Sequence, residues 1–138
     1  MAAWEILEHP ADIGLRARGP TLAGLFEQAA AGMMEIAASP AGIGEREQKP
    51  MVAEAPDREA LLVTFLEEIL WLVDGQGWLP ARVAVREIGE TAVTATAFGE
   101  PRDTSRHEMR LIIKAVTYHQ LAVRQTEQGW EAEVYFDI

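Results

Sequence analysis

Cysteine is absent from the 138-residue sequence, which excludes disulfides, thiolate metal sites and cysteine nucleophiles. Basic residues are few, with 12 Lys and Arg against 22 Asp and Glu, so the formal net charge is -10. That charge has the wrong sign for holding a phosphate backbone, and any contact with nucleic acid is expected to be indirect, through a partner. Apolar runs approaching the roughly 18 residues of a membrane span are also lacking, as is a basic leader segment. We therefore expect a cytoplasmic protein with no membrane contact.

The first half of the chain shows patterns typical of strands and helices in alternation. Apolar residues alternate with polar ones on both sides of HPAD, which predicts two strands joined by that turn. Thr21 is a candidate N-cap for a helix with one apolar face that stops before Ser39 and Pro40. A short strand is expected at residues 48–55, and Asp57 is the candidate N-cap of a second helix.

The second half is richer in strand patterns. A hairpin is predicted around Gly89, and residues 120–138 read as two strands joined by a turn. The stretch from Arg106 to Tyr118 fits either a helix or a buried strand, and we interpret it as a short helix. The hydrophobic content is 49% with no linker or repeat, which favours one domain over residues 1–138. The predicted class is α+β, with a largely antiparallel sheet packed against two or three helices.

An acidic residue lies near each end of the sequence, Asp12 in HPADIG and Asp137 in VYFDI. If Phe136 and Ile138 face the core, strand alternation directs the Asp137 carboxylate to the opposite side, one residue before the α-carboxylate of Ile138. A sheet that pairs the terminal strands brings Asp12 to the same place. Carboxylates held together need a neutralising cation, and oxygen ligands favour Ca²⁺ or Mg²⁺ over zinc. The alternative is that Asp12 is an ordinary turn residue and Asp137 a solvated edge residue.

Lys114 interrupts LIIKAV, an apolar stretch in a chain whose other lysine is Lys49. Its ammonium either reaches the surface along its aliphatic stem or meets an anionic partner at a site. His9 and His119 are read as hydrogen-bonded structural residues or as candidate acid-base groups, and His107 as a solvated residue. Nucleotide-binding glycine loops and nucleophile motifs are missing from the sequence.

Three separated segments resemble the archease family in the right order: EHPADIGLRARGPTLAGLFEQAA, GEPRDTSRHEMRLIIKAVTYHQLAV and GWEAEVYFDI. The resemblance covers essentially the full length and implies a fold built around a strand-helix-strand-strand module. It also implies a function as a protein cofactor of the RtcB-type RNA ligase, which joins a 2′,3′-cyclic phosphate or 3′-phosphate end to a 5′-hydroxyl end in tRNA splicing and RNA repair. In this family the protein promotes guanylylation of the ligase and multiple turnover without being a ligase itself.

The same resemblance implies roles for individual residues. Asp12, Asp137 and the α-carboxylate of Ile138 match the residues that form the family's metal site, and Lys114 matches a lysine needed for ligase activation. Pro10 departs from the family pattern, which has Thr there, and so removes a hydroxyl and a backbone N–H beside the site.

Two other functions are consistent with the residues alone. One is a metal-dependent phosphoesterase or hydrolase in which Asp12 and Asp137 hold a cation and His9 or His119 acts as acid or base. The other is an acidic adaptor that binds no metal.

Overall fold

The computed structural model describes residues 3–8 and 12–138. Its secondary structure follows the predicted order in most of the chain. The elements are β1 (Trp4–Glu8), β2 (Asp12–Gly19), α1 (Leu22–Ala37), β3 (Glu47–Glu54), α2 (Arg58–Leu70), β4 (Trp78–Ile88), β5 (Ala92–Pro101), β6 (Ala115–Thr126) and β7 (Gly129–Asp137). A 3₁₀ turn at Pro40–Gly42 and a π-helical turn at Trp71–Gly75 complete them. Within the described part of the chain, no helix has both the length and the hydrophobicity needed to cross a membrane.

Both helices begin at the predicted caps. The Thr21 hydroxyl accepts a hydrogen bond from the Gly24 amide at 3.0 Å, and the Asp57 carboxylate accepts one from the Ala60 amide at 2.8 Å. Each side chain satisfies an amide that has no partner inside its helix. The caps and the apolar spacing together explain why helix was predictable in these two segments.

The strands form two sheets rather than the single sheet expected. One sheet has the order β1-β2-β7-β6 and the other β3-β5-β4, and every ladder in them is antiparallel. Helix α1 packs against β2 and β4, and α2 against β3 and β6, so each helix contacts both sheets. Their apolar faces and the inner faces of the sheets share one hydrophobic core. The predicted α+β class is confirmed.

The predicted helix over Arg106 to Tyr118 is wrong. Residues 107–114 have no regular secondary structure and run past the end of α1, and β6 begins at Ala115. The Arg110 amide donates to the Ala37 carbonyl at 2.9 Å, and the Leu111 amide donates to the Ile36 carbonyl at 3.2 Å. These carbonyls belong to the last turn of α1, where no amide of the helix itself is available to donate to them. The Arg110 and Leu111 amides therefore cap the C-terminal end of α1 and are not used in a helix of their own.

Candidate metal centre

The two predicted aspartates face each other across neighbouring strands. Strand β2 pairs with β7 so that Asp12 is opposite Asp137 and Ile13 is opposite Phe136. Ile13 and Phe136 are buried in the core, so alternation directs both aspartates to the other face of the sheet. Side chains directly opposite in an antiparallel pair have Cβ atoms about 4.5 to 5.5 Å apart. The folded chain thus brings together two carboxylates that are far apart in sequence.

Lys114 reaches the same end of the sheet through its backbone. Its amide donates to the Asp137 carbonyl at 2.8 Å, and the next residue, Ala115, is opposite Asp137 in the β6–β7 ladder. The lysine is exposed and borders a shallow depression with Trp71 and Asp74. The backbones of three residues singled out from the sequence therefore come together where β2 and β6 begin and β7 ends, while the Lys114 side chain borders Trp71 and Asp74.

A buried tyrosine lies on the same face of the sheet as the aspartate pair. Tyr135 shares the face of Asp137 and lies opposite Gly14, yet it is only 4% exposed. A Cβ atom at Gly14 would lie 2.6 Å from Cε2 of this ring and 2.9 Å from Cβ of Leu7. Burial raises the pKa of the Tyr135 phenol, and the negative charges of Glu133 and Asp12 raise it further. Strand alternation is consistent with this face for Tyr135, but nothing in the sequence indicates that the glycine opposite it opens space for the ring.

Strand β6 bulges beside this tyrosine. Thr117 is opposite Tyr135 and Ala122 is opposite Glu133, so residues 118–121 are looped out of the ladder. The Thr117 hydroxyl donates to the Tyr135 carbonyl at 3.0 Å and accepts from the His119 amide at 3.2 Å. The bulge brings the His119 ring edge-on to Tyr135, with 5.8 Å between ring centroids. Bulges often redirect a side chain beside a functional site, and the sequence gave no signal for this one.

Ion pairs cover the same face away from the aspartates. Arg16 contacts Glu5 and Glu133, and Arg18 contacts Glu131 at 3.0 Å. Arg124 contacts Glu131 from the other side at 3.1 Å. Along the strands, this face carries paired acidic and basic side chains. At the end that holds Asp12 and Asp137, it carries two acidic side chains.

Carboxylate oxygens of this kind fit a hard cation. In the described residues, no group of three or more His, Cys, Asp or Glu side chains is arranged to hold a metal. Two side-chain carboxylates alone make an incomplete ligand set, because Ca²⁺ takes about six to eight oxygen ligands. The predicted third protein ligand, the α-carboxylate of Ile138, follows Asp137 directly, and the Ile138 residue is 38% exposed. This donor set is oxygen-only and suits Ca²⁺ or Mg²⁺ better than zinc.

The prediction that His107 is solvated is wrong, because this residue is 6% exposed. Its Nε2 lies 2.9 Å from the carboxylate of Glu100, itself 1% exposed. Its Nδ1 accepts a hydrogen bond from the Asp103 amide at 2.8 Å, so Nε2 carries the proton that is donated to Glu100. The Gly44 amide and the Arg106 guanidinium also donate to this carboxylate, at 2.6 and 2.9 Å. A buried polar cluster thus fixes the loop that leads from β5 towards Lys114.

Hydrogen bonds also set the acidity of this cluster. The Gly44 amide, Arg106 and His107, in that order, lower the pKa of Glu100 to about 2. The glutamate is therefore a stable anion in the folded protein. His9 and Pro10 lie outside the described residues, so their predicted roles stay predictions.

Known proteins resemble this chain over its whole length. The model of the Archease protein family matches residues 4–138. The chain is 38% identical to the protein archease of Thermococcus gammatolerans, with 100% of both chains covered. It is 34% identical to the protein archease of Pyrococcus furiosus, again with 100% of both chains covered.

Two solved structures share the fold. The solution structure of Methanobacterium thermoautotrophicum protein 1598 has a TM-score of 0.82 at 29% identity, with 100% of both chains covered. The crystal structure of an archease from Thermotoga maritima, described as a possible chaperone, has a TM-score of 0.67 at 26% identity. That match covers 96% of this chain and 94% of the other. Fold and sequence agree on one family.

Proposed function

The chain belongs to the archease family, and from this membership we propose that it is a non-catalytic activator of an RtcB-type RNA ligase. In this role it promotes guanylylation of the ligase and multiple turnover in tRNA splicing and RNA repair. The description of the Thermotoga maritima relative as a possible chaperone is in keeping with action on a partner protein. A cytoplasmic location remains part of this proposal.

The observation that supports the proposal is that the backbones of Asp12, Asp137 and Lys114 lie together at one end of the sheet. The family resemblance assigned a metal site to the two aspartates and an activating role to the lysine. These residues come from three different strand ends, so their proximity depends on the fold and not on sequence spacing.

We assign the cation site to Asp12, Asp137 and the α-carboxylate of Ile138. A bound Ca²⁺ or Mg²⁺ supplies positive charge that relieves repulsion among these groups. The chain's own residues fix the ligands: the β2–β7 ladder sets the spacing of the aspartates, and Tyr135 packs over Gly14 on the same face of the sheet. Lys114 adds a protein cation at the neighbouring strand end.

The charge of the protein supports a partner of opposite sign. A ligase that binds RNA needs a basic groove, and a protein with a net charge of -10 is steered towards such a groove. RNA itself is repelled, so nucleic acid is reached only through the ligase.

Ligation by an RtcB-type ligase, with and without this protein, tests the proposal. With less RNA substrate than ligase, the assay measures a single turnover. With RNA substrate in excess over the ligase, it measures multiple turnover. We expect the protein to accelerate ligase guanylylation and to extend ligation beyond one turnover. Equal product with and without the protein under both conditions would show that it is not an activator.

The second candidate is a metal-dependent phosphoesterase, favoured by the contact of the His119 ring with Tyr135, which shares the sheet face of Asp137. In that function Asp12 and Asp137 hold the cation and His119 acts as acid or base. Purified protein would then hydrolyse a generic phosphodiester such as bis(p-nitrophenyl) phosphate, and Asp12→Ala would abolish the hydrolysis. Turnover at the background rate would exclude this candidate.

A further inference from the structure

Tyr135 is a buried side chain on the polar face of the four-stranded sheet. The other face of this sheet packs against the helices and contributes to the core. Tyr135 is 4% exposed, whereas Arg16 and Glu133, its neighbours on the polar face, form a partly exposed ion pair. A buried aromatic ring is unusual on the solvated face of an antiparallel sheet.

The pairing of β2 with β7 divides this face into three successive levels: Asp12 with Asp137, Gly14 with Tyr135, and Arg16 with Glu133. The first level is acidic, the second carries no charge and the third holds an ion pair. Strand β1 continues the second and third levels, because Leu7 is opposite Gly14 and Glu5 is opposite Arg16. An uncharged level therefore separates Asp12 from the nearest arginine on its own strand.

The Tyr135 ring fills this uncharged level. A Cβ atom at Gly14 would lie 2.6 Å from Cε2 and 2.8 Å from Cζ of the ring, so the far end of the ring overlies the glycine. On the β1 side, Cβ of Leu7 would lie 2.9 Å from the same position. The ring and the leucine together cover β2 between Asp12 and Arg16.

Charges on both neighbouring levels act on the phenol. Burial is the main cause of the raised pKa of Tyr135. The negative charges of Glu133 and Asp12 raise this pKa further, and the positive charge of Arg16 lowers it. These effects agree with the place of the ring between the acidic level and the ion-pair level.

Arg16 would be drawn to the acidic level if nothing lay between them. Its pairs with Glu5 and Glu133, at 2.5 and 3.0 Å, involve partly exposed side chains, and such pairs stabilise by about 1 kcal/mol or less. The acidic level concentrates negative charge, because Asp12 is opposite Asp137. Asp12 and Arg16 are about 13 Å apart along β2, a separation that extended aspartate and arginine side chains can bridge.

We propose that Tyr135 is a positioning residue for the cation site, because its ring, packed over Gly14, keeps the Arg16 guanidinium from competing with the cation for the aspartates. An arginine between the carboxylates would neutralise them as a divalent cation does, so only one of the two can occupy that place. The inference rests on the proposed function, which assigns the cation to Asp12 and Asp137. It adds the residue that keeps a competing cationic side chain out.

Calcium titration of a mutant cycle tests this role. Tyr135→Val suits a strand but is too short to cover Gly14, and Tyr135→Phe keeps the ring. Each is combined with Arg16→Gln, and Ca²⁺ affinity is measured by titration calorimetry at low ionic strength, with thermal unfolding as the check on folding.

The expected result is a loss that depends on Arg16. Tyr135→Val should weaken Ca²⁺ binding roughly fivefold, the size of one exposed ion pair. Adding Arg16→Gln should restore the affinity to within about twofold of wild type. In the wild-type and Tyr135→Phe backgrounds, where the ring is present, Arg16→Gln should change the affinity by less than about twofold.

Arg18→Gln is the matched control for Arg16→Gln. It removes the same charge one level further along the face, where Arg18 is opposite Glu131 and pairs with it at 3.0 Å. Arg18 is about 20 Å from Asp12 along β2, beyond the reach of its side chain. Combined with Tyr135→Val, Arg18→Gln should leave Ca²⁺ affinity as low as in Tyr135→Val alone. Equal rescue by Arg16→Gln and Arg18→Gln would overturn the proposal, because the lost charge would then act at long range.

The remaining outcomes separate this inference from the function beneath it. If Tyr135→Val binds Ca²⁺ as tightly as wild type, or if Arg16→Gln does not restore its lost affinity, Tyr135 only packs and the inference is wrong while the cation site stands. If the wild-type protein binds neither Ca²⁺ nor Mg²⁺, the cation site fails and the inference falls with it. Tyr135→Leu replaces Tyr135→Val if the latter does not fold, because leucine keeps more buried volume yet lacks the atoms that lie over Gly14.

Discussion

Asp12, the first residue of β2, lies directly opposite Asp137, the last residue of β7, in an antiparallel ladder. Their backbones are held by strand pairing, so the two carboxylates stay close whether or not a cation is bound. Two negative charges at this range repel each other. A site of this kind has repulsion built into it, which a divalent cation relieves.

Replacing either aspartate by asparagine should abolish cation binding. Asp12→Asn and Asp137→Asn each keep the size of the side chain and remove one negative charge. Without cation, the free energy of unfolding should therefore change by less than about 1 kcal/mol. With excess Ca²⁺ or Mg²⁺, the wild-type protein should gain stability by ligand linkage and the variants should not. Both variants should show no heat of cation binding in calorimetric titration, and neither should activate the ligase. Wild-type affinity in both variants would contradict the site.

Lys114→Met should leave folding intact and remove ligase activation. The change keeps the aliphatic stem and deletes only the charge of an exposed residue. Lys49→Met is the matched control, because it makes the same change in net charge on β3. Unfolding midpoints and the rate of ligase guanylylation are the measurements. Full activation by Lys114→Met would show that the ammonium is only a solvated group.

The sequence predicted those parts of the fold that local rules govern. Both helices and their caps at Thr21 and Asp57 follow from side-chain spacing and from hydrogen bonds made within three residues. The proximity of Asp12 and Asp137 was also within reach, because strand alternation fixed the face of Asp137 and the HPAD turn placed Asp12 at a strand end. It needed only the assumption that the terminal strands are neighbours.

Parts that depend on distant contacts were missed. Residues 107–114 look helical by spacing, but the Arg110 and Leu111 amides donate to the last turn of α1 instead. His107 lies in a polar stretch, and its burial depends on Glu100 and Gly44. The space for Tyr135 is created by Gly14 on another strand. No pattern within one segment reports such relationships.

Gly14→Ala should destabilise the protein and disturb the aspartate end. The added methyl group would lie 2.6 Å from the Tyr135 ring and 2.9 Å from Cβ of Leu7, which forces one of them to move. Overpacking of this kind costs about 1 to 3 kcal/mol, although alanine in a strand is otherwise better than glycine. Gly89→Ala is the control, because nothing lies within 4 Å of its added atom. Equal losses of unfolding free energy for Gly14→Ala and Gly89→Ala, measured by denaturant unfolding, would contradict this packing.

Acid should weaken the wild-type protein partly through Glu100. Its folded pKa is about 2 against an ordinary value of 4.5, so the stability it contributes is present above pH 4.5 and lost as the pH falls towards about 2. Glu100→Gln removes this titration. The variant should be less stable than wild type at pH 7, and the difference should narrow below pH 4.5. Asp103, with a pKa lowered to about 2 chiefly by Ser105, titrates in the same pH range in both proteins, so the comparison rests on the change that Glu100→Gln adds. If the free energies of unfolding of wild type and Glu100→Gln differ by the same amount from pH 7 to pH 3, Glu100 is not the group responsible.

Residues added after Ile138 should impair cation binding and ligase activation. The predicted ligand there is the α-carboxylate, and an extension converts it into a neutral amide while bringing extra chain to the strand end beside Asp137. Oxygen ligands of Ca²⁺ must converge within about 2.3 to 2.6 Å of the ion, so both the lost charge and the added bulk act against binding. An extension of equal length placed before Met1 is the control, because it leaves that carboxylate intact. Both forms are compared at matched thermal stability for Ca²⁺ affinity and for stimulation of ligase guanylylation. Equal performance of the two forms would show that Ile138 is not a ligand, and the cation would then have to be held by Asp12, Asp137 and water.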